Sequence, residues 1–464
     1  MVMIRARVAL ALFVAGAASA QAQPRIAVTE IDRAQLPAEE FRLDGLSRNG
    51  EPTWLRLRQI PAFTPDARLV VVGPDGAERE RTVPELRHFA GTERGQAGAR
   101  VFMSLGGDGS IRGWVTRGSQ VEAFARPAGS GGASVLSLQR LEMGRGDGDG
   151  FSCAADDLGL APEPEALAAA VRASGTAEPS GSAPRMARIA VETDLSYLAL
   201  FDGDVDKATR YAVDMIGFAS ATYINETGYG LAVTYLRFWE GSEPWVQTSS
   251  THCRLFEFGQ YWNVHMEDLQ RSTAVMFSAQ TPRGGLAWFP SLCSSSFNSD
   301  ITYANCPGMT GSLNVGGAYA YVGGMYGSFN PAQPQVMWDS MATAHEIGHN
   351  LGSPHTHCYA NYPGNGAPVV DQCATEASSS SSQCYESGPT SLPGPQGQGS
   401  GTLMSYCHLQ PGGFGNVTFT LGAGHPWGDQ PERVPARIGA YVQQRDLAAP
   451  GCFFSDGIFA DGFQ

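Results

Sequence analysis

Two patterns of apolar and polar residues divide the chain. Between residues 24 and 170, short apolar runs such as "ARLVVVGPDG" and "ARVFMSLGGDGSIRGWV" are separated by Gly-Asp turns. Short runs bounded by turn residues are typical of β-strands. A stretch with helical spacing, "PEPEALAAAVRAS", and a Gly, Ser and Pro-rich stretch, "GTAEPSGSAPR", follow. The second stretch has the composition of a flexible linker, so we predict a β-rich domain that ends before it.

Beyond the linker, strands alternate with helices. "ARIAVETD" and "LAVTYLRFWE" have the composition of buried strands, and residues 204–224 between them carry apolar side chains at helical spacing. Helices are also predicted over residues 262–270 and 336–350, and a strand is predicted at "TAVMFSA". The strand, helix, strand order implies a partly parallel sheet, so this region is predicted to be an α/β domain.

The N-terminus has the pattern of a secretory signal. Arg5 and Arg7 precede a short apolar run, which small residues follow. The run is too short to span a membrane, so we expect export and removal of this segment. The predicted organisation is a signal peptide at 1–22, a β-rich domain at 23–173, a linker at 174–186, an α/β domain at 187–452 and a tail at 453–464. For the tail, a removable sorting segment and a strand packed on the α/β domain are both open.

The net charge limits the possible partners, and the cysteine content bears on the cellular compartment. A formal net charge of -14 over 464 residues argues against nucleic acid or an anionic membrane as the main partner, because both attract clusters of Lys and Arg. Export makes the nine cysteines potential disulfides. Eight of them lie beyond residue 250, and Cys153 stands alone upstream.

The segment "MATAHEIGHNLGSPHTHC" holds the strongest chemical signal. On a helix, His345 and His349 share a face and Glu346 lies beside them. Gly352 can take a positive φ, which ends the helix and lets His355 return towards the same point. Three neutral imidazoles beside one carboxylate predict a catalytic zinc site whose fourth position is open to water.

Such a site suits peptide-bond hydrolysis. Zinc lowers the pKa of a bound water from about 16 to about 7, and Glu346 can take its proton as general base and return it to the leaving amine. His357 follows two residues after His355 and is interpreted as a neighbour of the site. An alternative function is a secreted binding or adhesion protein with structural zinc, which would not need Glu346. Hydrolysis of a non-peptide amide is a third.

A second motif, "GTLMSYCH", places Met404 downstream of the histidines. HExxHxxGxxH followed by a methionine turn is the metzincin signature, and residues 187–452 resemble the secreted reprolysin-like (adamalysin-like) zinc peptidases. The resemblance implies an α/β (α+β) fold with a mixed five-stranded sheet and a zinc helix, with Met404 as an apolar floor beneath the metal. It also implies a last helix, which "VPARIGAYVQQRDLA" fits. It also implies that an edge strand with Gly285, Leu286 and Ala287 pairs with the substrate backbone. Ordinary sheet core is the alternative for this strand.

Two positions depart from the family pattern. Thr356 follows the third histidine, where many adamalysin-like enzymes have an aspartate. The Ser405-Tyr406 pair is instead similar to the serralysin and astacin branches, in which this tyrosine can approach the metal or the oxyanion. Tyr406 is therefore a candidate for transition-state stabilisation, and a packed turn aromatic is the alternative.

Cys153 indicates how activity could be controlled. If the eight downstream cysteines pair among themselves, one thiol is left, and a thiolate is a good zinc ligand. We predict that the N-terminal domain is an inhibitory propeptide whose Cys153 occupies the water's position until an activating protease cuts the linker, similar to the cysteine switch of several metzincins. An unpaired structural thiol and a bridge to another cysteine are the alternatives.

The predicted cofactor and partners follow from this assignment. We expect one catalytic zinc ion per chain, protein or peptide substrates, and a secreted monomer that engages neither nucleic acid nor membrane. The "GDGDG" segment invites a calcium interpretation, but it lacks the spaced ligands of an EF-hand loop and is interpreted as a turn.

Overall fold

The computed structural model describes residues 24–31, 40–96, 98–129, 135–141, 184–330, 335–364, 366–376 and 383–455. The predicted signal peptide, the predicted helix at 162–174, most of the linker, Cys153 and the "GDGDG" segment lie outside these residues. Among the described residues, no helix combines the length and apolarity that a membrane crossing requires.

The described residues before the linker form strands. They are β1 (Arg25–Ala27), β2 (Phe41–Arg48), β3 (Glu51–Ile60), β4 (Phe63–Val72), β5 (Glu78–Arg81), β6 (Leu86–Glu93), β7 (Arg100–Gly106), β8 (Ile111–Arg117), β9 (Gln120–Arg126) and β10 (Leu136–Arg140). Seven of these, β2, β3 and β6 to β10, close into a barrel, because β10 pairs with β2 in parallel while β2 pairs with β3 on its other side. Buried apolar side chains such as Phe41, Leu57, Met103 and Phe124 fill the interior.

The α/β region follows the linker. Its elements are β11 (Arg185–Thr193), α1 (Leu195–Ala199), α2 (Val205–Thr227), β12 (Tyr229–Trp239), α3 (Thr251–His265), β13 (Thr273–Phe277), β14 (Gly284–Ala287), β15 (Phe297–Asp300), β16 (Ser312–Gly316), β17 (Tyr319–Gly323), α4 (Gln335–Asn350), α5 (Arg433–Ala448) and β18 (Phe453–Ser455). The predicted helices at 204–224 and 336–350 correspond to α2 and α4, and the last predicted helix corresponds to α5.

The helix predicted over residues 262–270 is misplaced. The corresponding helix, α3, begins at Thr251 and ends at His265. It begins there because the Ser250 side chain accepts the backbone N–H of Cys253, which satisfies a donor at the helix N-terminus. The signal in the sequence is Ser250 itself, because serine is a preferred N-cap residue.

The main sheet is mixed, but it has eight strands and not the five that the family resemblance implies. Its order is β14, β17, β13, β11, β12, β4, β5, and β18 pairs with β11 off this path. The five strands from β14 to β12 belong to the α/β region. The extra strands come from the hairpin β4–β5, which lies parallel to β12 through β4, and from β18, which lies antiparallel to β11. The prediction of five strands is wrong because strands from both ends of the chain extend the sheet.

Four disulfides pair the eight cysteines beyond residue 250, as expected for an exported protein. The pairs are Cys253–Cys306, Cys293–Cys452, Cys358–Cys384 and Cys373–Cys407. The last two hold the long connection between α4 and α5, which contains little regular structure. The pair at Cys452 fixes the start of β18, so residues 453–455 are a strand packed on the α/β region.

Candidate metal centre

The helix α4 carries the first two histidines and ends in a sharp turn. His345 and His349 lie one turn apart on the same buried face. Gly352 has φ +94°, and its backbone N–H bonds the carbonyl of His349 at 2.9 Å. A Cβ at Gly352 would also lie 2.7 Å from the ring of Tyr441 on α5. Glycine therefore permits both the turn and the close approach of α5, and the chain returns His355 to the helix.

The three imidazoles converge on one point. Their Nε2 atoms lie 3.1 Å apart for His345 and His349, and 3.2 Å apart for each pair that includes His355. His345 Nδ1 donates to the carbonyl of Leu403 at 2.6 Å, and His349 Nδ1 donates to that of Ser353 at 2.7 Å. The Nε2 atoms of both are therefore acceptors. Nitrogens at about 2.0–2.1 Å from a tetrahedral ion lie about 3.3 Å from one another, so the triad fits zinc.

Burial sets the charge of these histidines. It lowers the pKa of His345 to about 4, although the hydrogen bond to Leu403 opposes the shift. Burial, reinforced by the neighbouring imidazoles, lowers the pKa of His349 and of His355 well below the ordinary value. All three side chains are therefore neutral near pH 7, which is the form of histidine that binds a metal.

Glu346 lies between the triad and the edge of the sheet. Its side chain is fully buried, and a Cβ on Gly285 would overlap its carboxylate. Gly285 belongs to β14, which is the edge strand next to β17. The predicted substrate strand, Gly285 with Leu286 and Ala287, is thus beside the carboxylate at one end of the sheet. Both Leu286 and Ala287 are themselves buried.

The methionine turn packs beneath α4. Met404 is fully buried, and a Cβ on Gly348 would lie 2.5 Å from its Sδ atom. The carbonyl of Met404 accepts the backbone N–H of Thr356 at 3.0 Å, and the preceding carbonyl, that of Leu403, holds His345. This turn therefore ties the helix to the segment that carries the third histidine.

Two further ring side chains pack around the triad. The ring of Tyr406 lies 4.1 Å from that of His355 and 6.2 Å from that of His345. His357 stacks on His355 with ring centres 5.4 Å apart, and its Nε2 lies 3.3 Å from a carboxylate oxygen of Glu376. The structure thus places Tyr406 and His357 beside the three histidines, whereas the Cys153 thiol lies outside the described residues.

A small pocket opens next to His345. It is lined by Trp338, Met341, Ala342, His345, Leu403, Ser405, His408 and Phe414. The sequence analysis did not identify Trp338, Met341 or Glu376. The first two lie on the first turns of α4, where the apolar pattern indicates only core, and Glu376 is brought in by a disulfide-held connection that has no periodic signal.

A helix with two histidines, a third histidine beyond a turn and a buried methionine beneath them define a metallopeptidase centre. Residues 183–412 match the family model Reprolysin_5, described as metallo-peptidase family M12. This segment contains all of these residues, and it belongs to the metzincin-like metallopeptidases of family M12. The match confirms the resemblance inferred from the two motifs.

Comparisons of the whole chain are far weaker. A search of curated proteins found no match. The crystal structure of metalloproteinase-II from Bacteroides fragilis matches with a TM-score of 0.34 and 10% identity, over 72% of this chain and 89% of that chain. A chaperone-substrate complex matches with a TM-score of 0.25 and 8% identity, over 90% of this chain and 61% of that chain. Similarities this low carry no functional information.

Proposed function

We propose that this protein is a secreted zinc endopeptidase that uses Glu346 as its general base. The observation that carries the proposal is the convergence of three neutral imidazoles, with Nε2 atoms at most 3.2 Å apart, beside a fully buried carboxylate. Three nitrogen ligands leave a coordination position for water, which is typical of catalytic sites. A purely structural site would need the histidines and not the carboxylate.

His345, His349 and His355 would hold one zinc ion. The ion would supply Lewis acidity and lower the pKa of a water molecule at the site to about 7. Glu346 would take the proton of that water and transfer it to the nitrogen of the leaving amine, so that one residue serves as base and then as acid. Its burial between α4 and β14 keeps the carboxylate fixed and away from bulk solvent.

Substrate would bind along β14 and in the pocket next to His345. An extended peptide that pairs with the edge strand would place its scissile carbonyl near Gly285 and hence near Glu346. The pocket beside His345 is lined mainly by apolar groups, including Trp338, Met341 and Phe414. We therefore propose a preference for an apolar substrate side chain next to the scissile bond. Tyr406, whose ring lies beside that of His355, would donate a hydrogen bond to the oxyanion.

We further propose that the protein is made as a latent precursor. The single cysteine before the linker, Cys153, would occupy the water's position until the chain is cut by an activating protease. Four disulfides support passage through an oxidising compartment. Substrates would be proteins or peptides, and we propose that the enzyme acts as a monomer.

The test is hydrolysis of a quenched fluorescent peptide library by the zinc-loaded full chain carrying Cys153→Ser, which removes the proposed latency ligand. We expect cleavage that is lost in the double variant with Glu346→Ala and on chelation. The matched control adds Glu386→Ala instead, since Glu386 is an exposed glutamate of the same region, and should cleave normally. Absence of cleavage with one zinc bound per chain would favour a non-enzymatic binding protein.

A wild-type chain as active as Cys153→Ser would leave the peptidase assignment intact and would contradict the proposed latency. Library peptides with large apolar residues should be cleaved fastest, and a preference for acidic residues next to the scissile bond would contradict the assignment of the pocket.

A further inference from the structure

The hairpin β4–β5 leaves the barrel and joins the main sheet. We call this hairpin the arm. Its strand β4 pairs in parallel with β12, from Arg68 opposite Tyr235 to Val72 opposite Trp239. Residues 69–72 are at most 4% exposed. Without the arm, β12 would be an edge strand with unpaired backbone groups, which proteins normally avoid.

The outer face of the barrel also packs against α2. Side chains alternate along β7 and β8, so that Phe102 and Trp114 point outward while their neighbours fill the barrel interior. Trp114 lies 4.7 Å from Phe218 of α2, measured between ring centres. A Cβ on Gly217 would overlap His88 of β6 and lie 2.8 Å from Phe102. A glycine in the middle of α2 therefore permits the close contact.

Buried carboxylates of α2 are paired with side chains of the barrel. Asp214 accepts from His88 Nε2 at 3.0 Å and lies 3.4 Å from Arg112. Burial alone would raise the pKa of Asp214, but the bond to His88 and the positive charge of Arg112 lower it. Glu226 is fully buried and lies 2.6 Å from Arg100 of β7. Removal of the barrel would take these partners from both carboxylates. Asp214 would keep Arg210 of its own helix at 3.9 Å and Glu226 its backbone donors, but loss of one partner of a buried ion pair is still strongly unfavourable.

A series of hydrogen bonds links Glu226 to the metal centre. Its carboxylate accepts the backbone N–H groups of residues 421–423 and the hydroxyl of Thr420. The carbonyl of Thr420 accepts the backbone N–H of Leu403 at 2.9 Å, and the carbonyl of Leu403 accepts from His345. The barrel thus supports the segment that follows the methionine turn.

We propose that residues 24–141, the barrel with its arm, are a permanent subunit of the peptidase. A cut between residues 142 and 183 would free the segment that carries Cys153 and would leave the two parts bound. The inference goes beyond the proposed function and does not depend on it, because it rests on the shared sheet and the paired charges. If the barrel stays bound, the proposed latency must come from the segment between the two parts, which carries Cys153.

The first experiment cuts the folded chain. A recognition sequence for a site-specific protease is inserted within residues 174–183 of the Glu346→Ala protein, which cannot digest itself. After complete cleavage, verified under denaturing conditions, we expect both fragments to elute together on native size exclusion in equal amounts. Elution of the N-terminal fragment separately from a folded C-terminal fragment would overturn the proposal. The readout needs neither zinc nor activity, so it is independent of the proposed function.

A second experiment tests the surface that holds the fragments together. Gly217→Ala adds a methyl group where the barrel meets α2, and we expect the cut protein to dissociate at a concentration at least about tenfold higher. The matched control is Gly439→Ala, another helical glycine, at which a Cβ would meet nothing closer than 3.8 Å. Arg112→Ala, which removes a cation near Asp214 without adding volume, should weaken the complex in the same direction. Equal dissociation of all these proteins and wild type would contradict the assigned surface.

Discussion

The metal centre and the barrel interface both bury titratable groups, but they differ in what those groups face. In the metal centre, the Nε2 atoms of three histidines face one another within 3.2 Å. At the interface, Asp214 faces His88, and Glu226 faces Arg100 at 2.6 Å. Groups that are matched within the chain hold the architecture together, whereas converging acceptors point to a cation from outside. The comparison separates residues that serve chemistry from residues that serve folding.

The largest effect is expected at the metal centre. His349→Ala removes one of the three nitrogen atoms that would bind zinc. Loss of a residue that only hydrogen-bonds a metal ligand lowers metal affinity by about 10- to 100-fold, so loss of a ligand should lower zinc affinity by more than about 100-fold. Competition with a chromophoric chelator measures the zinc affinity of the variant and of the wild type. The control is His265→Ala, because His265 is exposed at the end of α3. Unchanged affinity in His349→Ala would remove the basis for assigning the triad.

The next effect concerns the interface, where Arg100→Met leaves Glu226 buried without its cation. Removing one partner of a buried pair costs about 3–5 kcal/mol, and we expect about 3 kcal/mol here because Arg100 is 23% exposed while Glu226 keeps its backbone donors. Urea unfolding followed by tryptophan fluorescence measures the loss. Arg87→Met, on an arginine of β6 whose ion pair with the exposed carboxylate of Glu85 is 3.8 Å long, should change stability by less than about 0.5 kcal/mol.

These two regions also differ in how far the sequence predicts them. The three converging histidines, His345, His349 and His355, lie within eleven residues, and helical spacing with one glycine suffices to bring them together. The arm is recognisable as a strand from "ARLVVVGPDG", but nothing in its local pattern says which sheet it joins. Its partner β12 lies about 170 residues away in sequence, as between Phe63 and Val233, and such pairing depends on the whole fold.

The same limit applies within the site. Met404 was predicted because its motif is local, and Leu403 next to it supplies the carbonyl that orients His345. Glu376 was not predicted, because it reaches His357 through a connection held by two disulfides and not by a periodic core. Partners held by disulfides and irregular segments leave no pattern along the chain.

A smaller, pH-dependent effect is expected at Asp339, a buried carboxyl on α4, the helix that carries His345 and His349. Burial raises its pKa from 3.8 to about 6, although the hydroxyl of Tyr211 at 2.6 Å and the backbone N–H groups of Tyr326 and Gly327 oppose the shift. The folded-state pKa is above the unfolded one, so this group favours folding when protonated, and that stability is lost as pH rises towards and through about 6.

Tyr211→Phe removes a donor that favours the charged form and should raise this pKa further. The variant should therefore be destabilised by about 2 kcal/mol at pH 8, where the carboxylate is charged, and by about 1 kcal/mol at pH 5. Urea unfolding of variant and wild type at both pH values measures the difference, and the titration of the zinc ligands cancels in the comparison. An equal loss at both values would show that Tyr211 acts only through packing.

The smallest effect is expected for an ion pair that joins the same two parts of the molecule at the surface. Asp66 of the arm lies 2.7 Å from Arg188 of β11, but the Asp66 side chain is 57% exposed. Water solvates the carboxylate whether or not the arginine is present, so Asp66→Asn should cost less than about 1 kcal/mol by urea unfolding. Arg188 also lies over the ring of Phe454, and this contact survives the substitution. A loss as large as that of Arg100→Met would mean that charge pairing across the junction stabilises it regardless of burial, and the distinction drawn between buried and exposed pairs would fail.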